Sequence, residues 1–525
     1  MKLVSIKIDN YRNLGNLEFV FNDELNFIIG ENNLGKSNFI DLLEALFSTT
    51  RFSEHDFYDI EKSIRIDFTL QLSPSEKPLF SVKAHRLKIT AVQKNPDANI
   101  VYEDAKTKRK IPVETIRCVN FFRDASLIEQ GVQFQFSRFE NFGKIYRHYK
   151  ANYGSFETLD MSKKILRSIE FIILEKIFSM SKTRKEKIQE AFYSGVQKRT
   201  KTYDIPIMLA FDELEIHLHP YMQRSIVRTL NKIITNEKSF FREVLKKELN
   251  IRHFYGQVFI VTHSPNILLN DYKQFIRFYL TNGKSAVVCG ENIHVQNDKH
   301  LFKNFIYFKE AFFAKFVIVV EGDSEFAAIP EFAEKILGGN DFDTYGILVI
   351  KADGKTSVSL VMKILQAFKI NNLGMVDRDD DDLAVIQSRL HKKPHLYTTH
   401  FRDFEEELLE KLTLEHFSLL DSFLFSTEHE RNALFSRTMR DELYCKKKIE
   451  KYTLPIDEKL MTRIANTNPS FDDYAHDREI MKLWYLSELN RRKGISFWHQ
   501  LAYELPEQFI PDIYRKIILE ATEVE

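Results

Sequence analysis

The sequence predicts an α/β protein made of two domains, each built around a parallel sheet. The apolar runs IPIMLAFDE and QVFIVTHS have the length of buried parallel strands, and an amphipathic helical pattern separates them. From residue 316 onward, FVIVVEG, YGILVIKADG and LGMVDRDDDD alternate with helical stretches in the same way. A chain of 525 residues is longer than one domain usually is, and its 44% apolar composition is enough to form a large core.

Composition excludes several classes of protein. Three cysteines, Cys118, Cys289 and Cys445, lie far apart, which argues against a disulfide framework and against a cysteine-ligated zinc site. No apolar run reaches membrane-spanning length, and the first thirty residues are too polar for a secretory signal. The formal net charge is zero, so charge alone predicts no nucleic-acid partner. We therefore expect a cytoplasmic protein without a membrane partner.

Strand patterns dominate the first 120 residues. The opening LVSIKIDNYRNLGNLEF predicts a small sheet that leads into a buried strand at Leu25 to Ile29. The runs IRIDFTLQL, SVKAHRLKITAV and ETIRCVNFF predict an antiparallel lobe between Lys62 and Val119. Between about residues 137 and 197 the apolar period becomes helical, which predicts a helical insertion.

A glycine-rich segment follows the buried strand and matches G-x-x-x-x-G-K-[ST]. Its residues are Gly30, Glu31, Asn32, Asn33, Leu34, Gly35, Lys36 and Ser37. In such a loop the backbone N–H groups wrap phosphate oxygens, the lysine offers a positive charge to the β- and γ-phosphates, and the serine hydroxyl can ligate Mg²⁺. The alternative is an ordinary strand-to-helix turn, but the flanking strand and helix favour a nucleotide site.

Two later strand ends complete the predicted nucleotide site. The run MLAFDE ends in Asp212, which can hold Mg²⁺, and Glu213, which can orient or deprotonate water. QVFIVTHS places His263 at the end of the next strand. A lone histidine there is more often an ordinary polar residue, but its position as the third element in order supports a single site.

These residues resemble the ABC-type ATPase heads of OLD, SMC and RecF-like proteins, including the opening IDNYRNLGNLEF and the string IHLHPYMQR. The resemblance covers about the first three hundred residues. It implies that two copies of the head enclose ATP, with Gly195 of the string SGVQ facing the partner's γ-phosphate and His263 acting as the switch histidine. Three departures favour ATP binding over rapid turnover: the SGVQ string lacks its usual Leu-Ser start, the short segment after it carries Pro206, and Leu214 stands where proline is usual.

The second set of strands ends in carboxylates. Glu321 and Glu325 lie one helical turn apart, and Asp377 and Asp379 point to one side of an extended segment. Because these strand ends meet at one sheet edge, the four carboxylates can hold Mg²⁺ or Mn²⁺ for two-metal phosphodiester cleavage. The alternative is a solvated acidic loop beside an acid-rich helix start.

The acidic pattern resembles a Toprim domain, whose marks are a glutamate after the first strand and Asp-x-Asp after a later one. Within the OLD family the resemblance extends to Glu325, to Asp403 and Glu405 of FRDFEEEL, and to a closing segment. In that segment Lys493 would stabilise phosphate charge, and the run Arg491 to Lys493 (Arg491, Arg492 and Lys493) is the best candidate for DNA contact.

The order of the two halves points to OLD proteins and to the related Gabija-type and retron-associated nucleases of antiviral defence. We expect an ABC-type ATPase domain at residues 1–300 and a Toprim domain at 301–525 with a helical insertion at about 411–480. The resemblance implies an ATP-regulated DNA endonuclease that forms a homodimer or higher homo-oligomer. It also implies a second defence component, such as a helicase or a reverse transcriptase with its nucleic acid. The alternative is a non-catalytic ATP-dependent DNA clamp or repair-type regulator.

Overall fold

The computed structural model divides into two compact units, Met1–Gln296 and Asn297–Glu525. It describes residues 1–124 except 75, 203–295 except 217 and 250, 308–379, 395–440, and 470–523 except 493, together with 147, 151, 166, 169, 170, 173 and 305. The expected helical insertion at 137–197 lies almost entirely outside these residues, and 441–469 of the expected second insertion also lie outside them.

The N-terminal unit contains an antiparallel sheet with the strand order β2-β1-β4-β5-β6-β7. Its strands are β1 (Lys2–Asp9), β2 (Glu18–Val20), β4 (Ile64–Gln71), β5 (Arg86–Gln93), β6 (Val101–Asp104) and β7 (Lys110–Ile111). In β4 every second residue is buried, so this sheet has one face on the core. The expected antiparallel lobe is therefore present over most of its length.

A second, mainly parallel sheet has the order β12-β11-β3-β10-β9-β8. Its strands are β3 (Leu25–Gly30), β8 (Asn120–Asp124), β9 (Tyr203–Asp212), β10 (Ile251–Val261), β11 (Phe275–Thr281) and β12 (Lys284–Cys289). Strand β10 pairs in parallel with both β3 and β9, and Val261 is the partner of Ile28 on one side and of Asp212 on the other. This register brings the ends of three strands together.

Helices of the N-terminal unit connect and cover these strands. They are α1 (Lys36–Ser48), α2 (Lys77–Phe80), α3 (Val113–Ile116), α4 (Pro220–Ile234) and α5 (Ser239–Leu249). Where one amphipathic helix was expected between β9 and β10 there are two, because Asn236 turns the chain in the left-handed region (φ 62°). Its side-chain amide bonds to the backbone N–H and C=O of Phe254, which fixes the turn against β10.

The prediction for ETIRCVNFF is wrong. Val113–Ile116 forms the short helix α3 after Pro112, and the following residues form β8, which pairs in parallel with β9 instead of joining the antiparallel lobe. Proline at a helix start has its φ already set for the helix. An apolar run shows that a strand is buried but not which strand it pairs with.

The C-terminal unit is built on a four-stranded parallel sheet with the order β14-β13-β15-β16. The strands are β13 (Phe316–Val320), β14 (Ile347–Lys351), β15 (Asn371–Val376) and β16 (Leu396–Thr398). The first three are those that the sequence predicts, whereas the three-residue β16 is too short to give a periodic signal. Since all pairs are parallel, the carboxyl ends of these strands share one edge.

Helices pack around this sheet. They are α6 (Asp323–Ile336), α7 (Phe342–Tyr345), α8 (Lys355–Ala367), α9 (Phe404–Lys411), α10 (Asp421–Leu424), α11 (Glu428–Arg440), α12 (Phe471–Tyr474), α13 (Arg478–Leu489), α14 (Ile495–Glu504) and α15 (Asp512–Thr522). Their apolar faces form one core with β13 and β15, and Trp484 and Trp498 are fully buried in it. Among the described helices, none has the length and apolar character needed to cross a bilayer.

Candidate functional sites

A cavity of about 500 Å³ lies where β3, β9 and β10 end in the N-terminal unit. That volume is in the usual range for small-molecule sites. Its lining residues are Asn32, Asn33, Gly35, Lys36, Ser37, Asn38, Asp212, Glu213, Val261 and His263. The structure thus brings together residues that the sequence predicts from three separate segments, and their polar groups face one space.

Two glycines are required by the shape of the phosphate-binding loop. Gly30 has φ 129°, and a Cβ there would lie 2.2 Å from the carbonyl oxygen of Phe278. Gly35 has φ 103°, and a Cβ there would lie 2.7 Å from Oδ1 of Asn13. Any side chain at either position would meet both a disfavoured backbone conformation and a close neighbour. The loop therefore needs glycine at both ends to turn from β3 into α1.

The side chain of Lys36 folds back toward the first residues of the glycine-rich loop. Its ammonium donates to the carbonyl oxygens of Gly30 at 2.8 Å and Glu31 at 2.6 Å. Burial lowers the pKa of Lys36, and the nearby carboxylates of Asp212 and Glu213 act in the opposite direction. A buried cation held near carboxylates at a helix N-terminus is suited to bind the phosphates of a nucleotide.

The turn after β9 and the turn after β10 are bonded to each other. The carboxylate of Glu215 accepts the backbone N–H of His263 at 2.6 Å, and the N–H of Glu213 donates to the carbonyl of Val261 at 3.0 Å. Burial, followed by the charge of Lys36, lowers the pKa of the His263 imidazole. Glu215 is a positioning residue that sequence reasoning missed, although it lies two residues after the predicted acidic pair.

Two arginines form ion pairs with a carboxylate of α1. Both Arg12 and Arg123 donate to the carboxylate of Asp41 on α1, and Arg123 also lies 3.8 Å from Oδ2 of Asp212. Arg12 belongs to the opening string that resembles ATPase heads, so its position was accessible from the sequence. Arg123 was not, because its role depends on β8 joining the parallel sheet. Gly195 lies outside the described residues.

The second site lies at the carboxyl edge of the C-terminal sheet. Glu321 follows β13 and Asp377 follows β15, and Oε2 of Glu321 accepts the backbone N–H of Asp377 at 3.2 Å. Glu325 lies in the first turn of α6 and is 2% exposed. Asp379 is half exposed and has φ 53°, in the left-handed region. The topology thus brings the four predicted carboxylates to one edge.

Burial and mutual repulsion raise the pKa values of Glu321, Glu325 and Asp377. Burial raises the pKa of Glu325 to about 8, and the pKa of Asp377 lies well above its usual value because of burial and the charges of Glu325 and Glu405. The pKa of Glu321 is raised chiefly by burial. Oε1 of Glu325 and Oδ1 of Asp377 are buried and have no hydrogen-bond partner. Such oxygens fit a divalent cation, which would offset both burial and repulsion.

The oxygens of these four carboxylates are not arranged around a single metal position. Within the part of the chain that the structure describes, no group of three or more His, Cys, Asp and Glu side chains is arranged to hold a metal ion. Oδ2 of Asp379 lies 2.8 Å from the ammonium of Lys355, and that ammonium also donates to the carbonyl of Arg378 at 3.2 Å. Lys355 begins α8, and no sequence motif marked it.

Of three consecutive glutamates of α9, two hold the loop that follows β16 and the third bonds to α6. Glu405 accepts from the hydroxyl of Ser324, Glu406 accepts from the backbone N–H of Arg402, and Glu407 accepts from the N–H groups of His400 and Phe401. The carbonyl of Arg402 in turn accepts the N–H of Asp379 at 2.7 Å. Asp403, the N-cap of α9, is buried beside them. The segment FRDFEEEL therefore supports the strained Asp379 segment.

Tyr514 of α15 is a further residue that the sequence did not indicate. Its ring packs edge-on against Phe404 with centroids 5.2 Å apart, and its fully buried hydroxyl has no hydrogen-bond partner. Burial raises the pKa of this hydroxyl well above its usual value, and the charges of Glu325 and Asp377 contribute. Its hydroxyl is therefore part of the electrostatic surroundings of the acidic site.

The predicted DNA-contact residues have different surroundings. Arg491 donates to the carboxylate of Glu488 at 2.6 Å, and the Arg492 guanidinium lies 5.9 Å from the ring centroid of Phe425. Lys493 lies outside the described residues. These two contacts lie within the C-terminal unit, and DNA contact by Arg491 and Arg492 stays a prediction.

Two protein families match this chain. The AAA ATPase domain family matches residues 1–202 and 175–268, which together span half of the chain. The family described as Overcoming lysogenization defect protein-like, TOPRIM domain, matches residues 312–379, which carry the four predicted carboxylates. An ATPase domain implies the use of ATP, and Toprim domains typically bind divalent metals.

Solved structures with similarity to each half give low scores. The SMC head domain from Thermotoga maritima is 14% identical and covers 56% of this chain and 100% of its own, with a TM-score of 0.31. The C-terminal region of the Xanthomonas campestris pv. campestris OLD protein is 20% identical and covers 41% and 95%, with a TM-score of 0.26. The assignment therefore rests on the two family matches. The two matches show that this chain belongs to the OLD-like family of ATPase–Toprim proteins, whose domains indicate a nuclease kind of enzyme.

Proposed function

We propose that this protein is a divalent-metal-dependent DNA endonuclease whose activity is controlled by ATP. The observation that carries the proposal is the cluster of Glu321, Glu325, Asp377 and Asp379 at one sheet edge, with buried carboxylate oxygens that have no partner. Such a cluster would hold divalent cations, which would supply activation of water and stabilisation of the leaving oxygen in phosphodiester cleavage. Mg²⁺ or Mn²⁺ suits these ligands because both prefer carboxylate oxygens.

The protein's own groups have distinct roles in this proposal. Glu321, Asp377 and Asp379 hold the cations, and Glu325 completes the set from the first turn of α6. Lys493 stabilises the developing phosphate charge, and Arg491 and Arg492 contact the DNA backbone. In the other unit, Lys36 and Ser37 bind the phosphates and Mg²⁺ of ATP. Asp212 binds the same Mg²⁺, Glu213 acts on the attacking water, and His263 and Gly195 of a second copy complete the site.

The family assignment supports the biological part of the proposal. OLD-like proteins include nucleases of bacterial antiviral defence, and we propose the same role, in the cytoplasm, for this protein. It would act as a homodimer or higher homo-oligomer, together with a second defence component such as a helicase or a reverse transcriptase with its nucleic acid. The enzyme would bind ATP but hydrolyse it slowly, because Leu214 replaces the proline that usually follows the acidic pair.

Cleavage of supercoiled plasmid tests the proposal. The wild type is incubated with Mg²⁺ or Mn²⁺, with and without ATP, beside Glu321→Ala and Lys36→Ala. We expect cutting that is lost in Glu321→Ala, and Lys36→Ala should behave like the wild type without ATP. An exposed lysine of the same unit, Lys7→Ala, is the control for loss of one positive charge.

The opposite result would favour a different class of protein. If the wild type leaves plasmid intact under every condition, binds it in an ATP-dependent manner and binds no Mn²⁺ in calorimetry, the chain is a non-catalytic clamp or repair-type regulator. If Glu321→Ala cuts as well as the wild type, the acidic cluster is not the catalytic centre.

A further inference from the structure

Lys355 touches two of the four predicted metal ligands. It is the first residue of α8, and its side-chain ammonium lies 2.8 Å from Oδ2 of Asp379. Its backbone N–H is also a hydrogen-bond donor to the carboxylate of Glu321. The residue is therefore positioned by the same sheet edge that positions the acids, and three quarters of its side-chain surface is covered.

A second lysine at this edge has different partners. Lys351, the last residue of β14, lies 2.7 Å from Asp323 and 3.0 Å from Asp353, neither of which is a predicted ligand. The two lysines are thus alike in residue type and in partial exposure, with exposed side-chain fractions of 25% for Lys355 and 30% for Lys351. They differ in whether their carboxylate partner belongs to the acidic site.

The ion pair between Lys355 and Asp379 opposes metal coordination by Asp379. An ammonium and a divalent cation repel each other, so an ammonium 2.8 Å from Oδ2 of Asp379 disfavours coordination of a divalent cation by the same carboxylate. We expect the ammonium to move away from Oδ2 when Asp379 coordinates a divalent cation, because the two cations repel each other.

A lysine displaced in this way remains beside the reacting group. Its flexible four-carbon stem starts at the N-terminus of α8, and its ammonium is a compact charge that suits a phosphate oxygen. A nuclease needs such a cation because its carboxylates repel the DNA backbone.

We propose that Lys355 is a DNA phosphate-binding residue of the acidic site, and that its ion pair with Asp379 competes with divalent metal for that carboxylate. The proposal rests on the proposed nuclease function and adds a phosphate contact to the one expected from Lys493. It assigns Lys355 two successive anionic partners: Asp379 before metal binding and a DNA phosphate after it.

The test uses the full-length protein and the variants Lys355→Gln and Lys355→Arg, with Lys351→Gln as the matched control. Calorimetry with Mn²⁺ should show about fivefold tighter binding to Lys355→Gln, because the competing ion pair is gone. Binding of a DNA duplex in Ca²⁺, used here to measure binding rather than cutting, should weaken. Its dependence on salt should fall by about one phosphate contact. Plasmid cleavage in Mn²⁺ should fall about a hundredfold.

The charge-restoring variant Lys355→Arg and the control Lys351→Gln distinguish a functional from a structural role of Lys355. Lys355→Arg should recover duplex binding while Mn²⁺ affinity stays near that of the wild type, and Lys351→Gln should match the wild type in all three measurements. Unchanged or weaker Mn²⁺ binding by Lys355→Gln would overturn the competition, and unchanged duplex binding would overturn the phosphate contact. A wild type that binds Mn²⁺ and duplex but never cuts would refute the nuclease function alone.

Discussion

Two acidic residues at the predicted sites have backbones in the left-handed region. Glu213 has φ 50° and Asp379 has φ 53°. Such a conformation costs a non-glycine residue about 1 kcal/mol or more, so it persists only where other contacts hold it. The N–H of Glu213 bonds to Val261, and that of Asp379 bonds to Arg402. Both strained residues follow strand ends, which is consistent with functional selection of side-chain direction.

At the same scale, Glu215 gives a prediction about ATP hydrolysis. Glu215→Ala removes the acceptor that joins the turn after β9 to the turn that carries His263. We expect hydrolysis to fall about tenfold, because misplacement of a catalytic group costs rate, while ATP affinity stays within about twofold. Phosphate release and nucleotide-binding calorimetry measure the two quantities.

The conservative variant and a control make the role of Glu215 specific. Glu215→Gln keeps an oxygen acceptor and should hydrolyse ATP nearly as well as the wild type. Glu243→Ala removes an exposed carboxylate of α5, whose neighbour is Lys247, and should have no effect. Normal hydrolysis by Glu215→Ala would show that the bond to His263 is not needed.

At the scale of elements, many of the candidate residues lie at or just after the ends of parallel strands. Asp212 is the last residue of β9 and His263 follows the adjacent parallel strand β10, while Glu321 and Asp377 follow the adjacent parallel strands β13 and β15. Because carboxyl ends of parallel strands meet at one edge, the sequence pattern was sufficient to predict these juxtapositions. The short β16 and the loop after it were not predictable in this way, since three residues carry no period.

The close approach of β9 and β10 gives a stability prediction. A Cβ on Gly256 of β10 would lie 1.6 Å from the carbonyl oxygen of Ile207 on β9. Gly256→Ala must therefore separate two central strands, and we expect a loss of about 3 kcal/mol or more in the free energy of unfolding of the N-terminal unit. Chemical denaturation followed by far-ultraviolet circular dichroism measures it.

Gly15 is the matched position for this comparison. The nearest atom to a Cβ there is the backbone nitrogen of Asn10 at 3.9 Å, which is an ordinary contact. Gly15→Ala should change the free energy of unfolding by no more than about 0.5 kcal/mol. Equal stability of the two variants would mean that β9 and β10 are not packed as closely as described.

At the scale of the whole molecule, the two units can be followed separately. The chain has two tryptophans, and both Trp484 and Trp498 are buried in the C-terminal unit. Tryptophan fluorescence of the full chain therefore reports the unfolding of that unit alone. This matters because one transition temperature is not well defined for a protein of several domains.

Tryptophan fluorescence permits a test of the acidic site by pH. The pKa of Glu325 is raised from 4.5 to about 8 in the folded protein, so the folded state holds a proton that the unfolded state has lost. Stability from this group is present below pH 4.5 and is lost as pH rises through about 8. In a metal chelator, the transition temperature of the C-terminal unit should therefore fall between pH 5 and 8, by at least about 3 °C.

Substitution of Glu325 and addition of Mn²⁺ distinguish titration of this carboxyl from a general effect of pH on stability. Glu325→Gln should flatten the dependence, although Asp377 leaves a residual slope because its pKa is also raised. Mn²⁺ should restore more stability at pH 8 than at pH 5, since it replaces protons at the carboxylates. The exposed Glu415→Gln should retain the full pH dependence. A transition temperature that rises with pH in the chelator would contradict the assignment.

The sequence by itself determined the two α/β halves, the nucleotide loop and the four carboxylates. These features depend on local patterns: an apolar strand followed by a glycine-rich turn, or a strand followed by acids. Only the tertiary structure decided that β8 joins the parallel sheet with Arg123 near Asp212, and that Lys355 bonds to Asp379. Those contacts join residues far apart in the chain, and they depend on strand pairing and side-chain packing, which a local pattern does not specify.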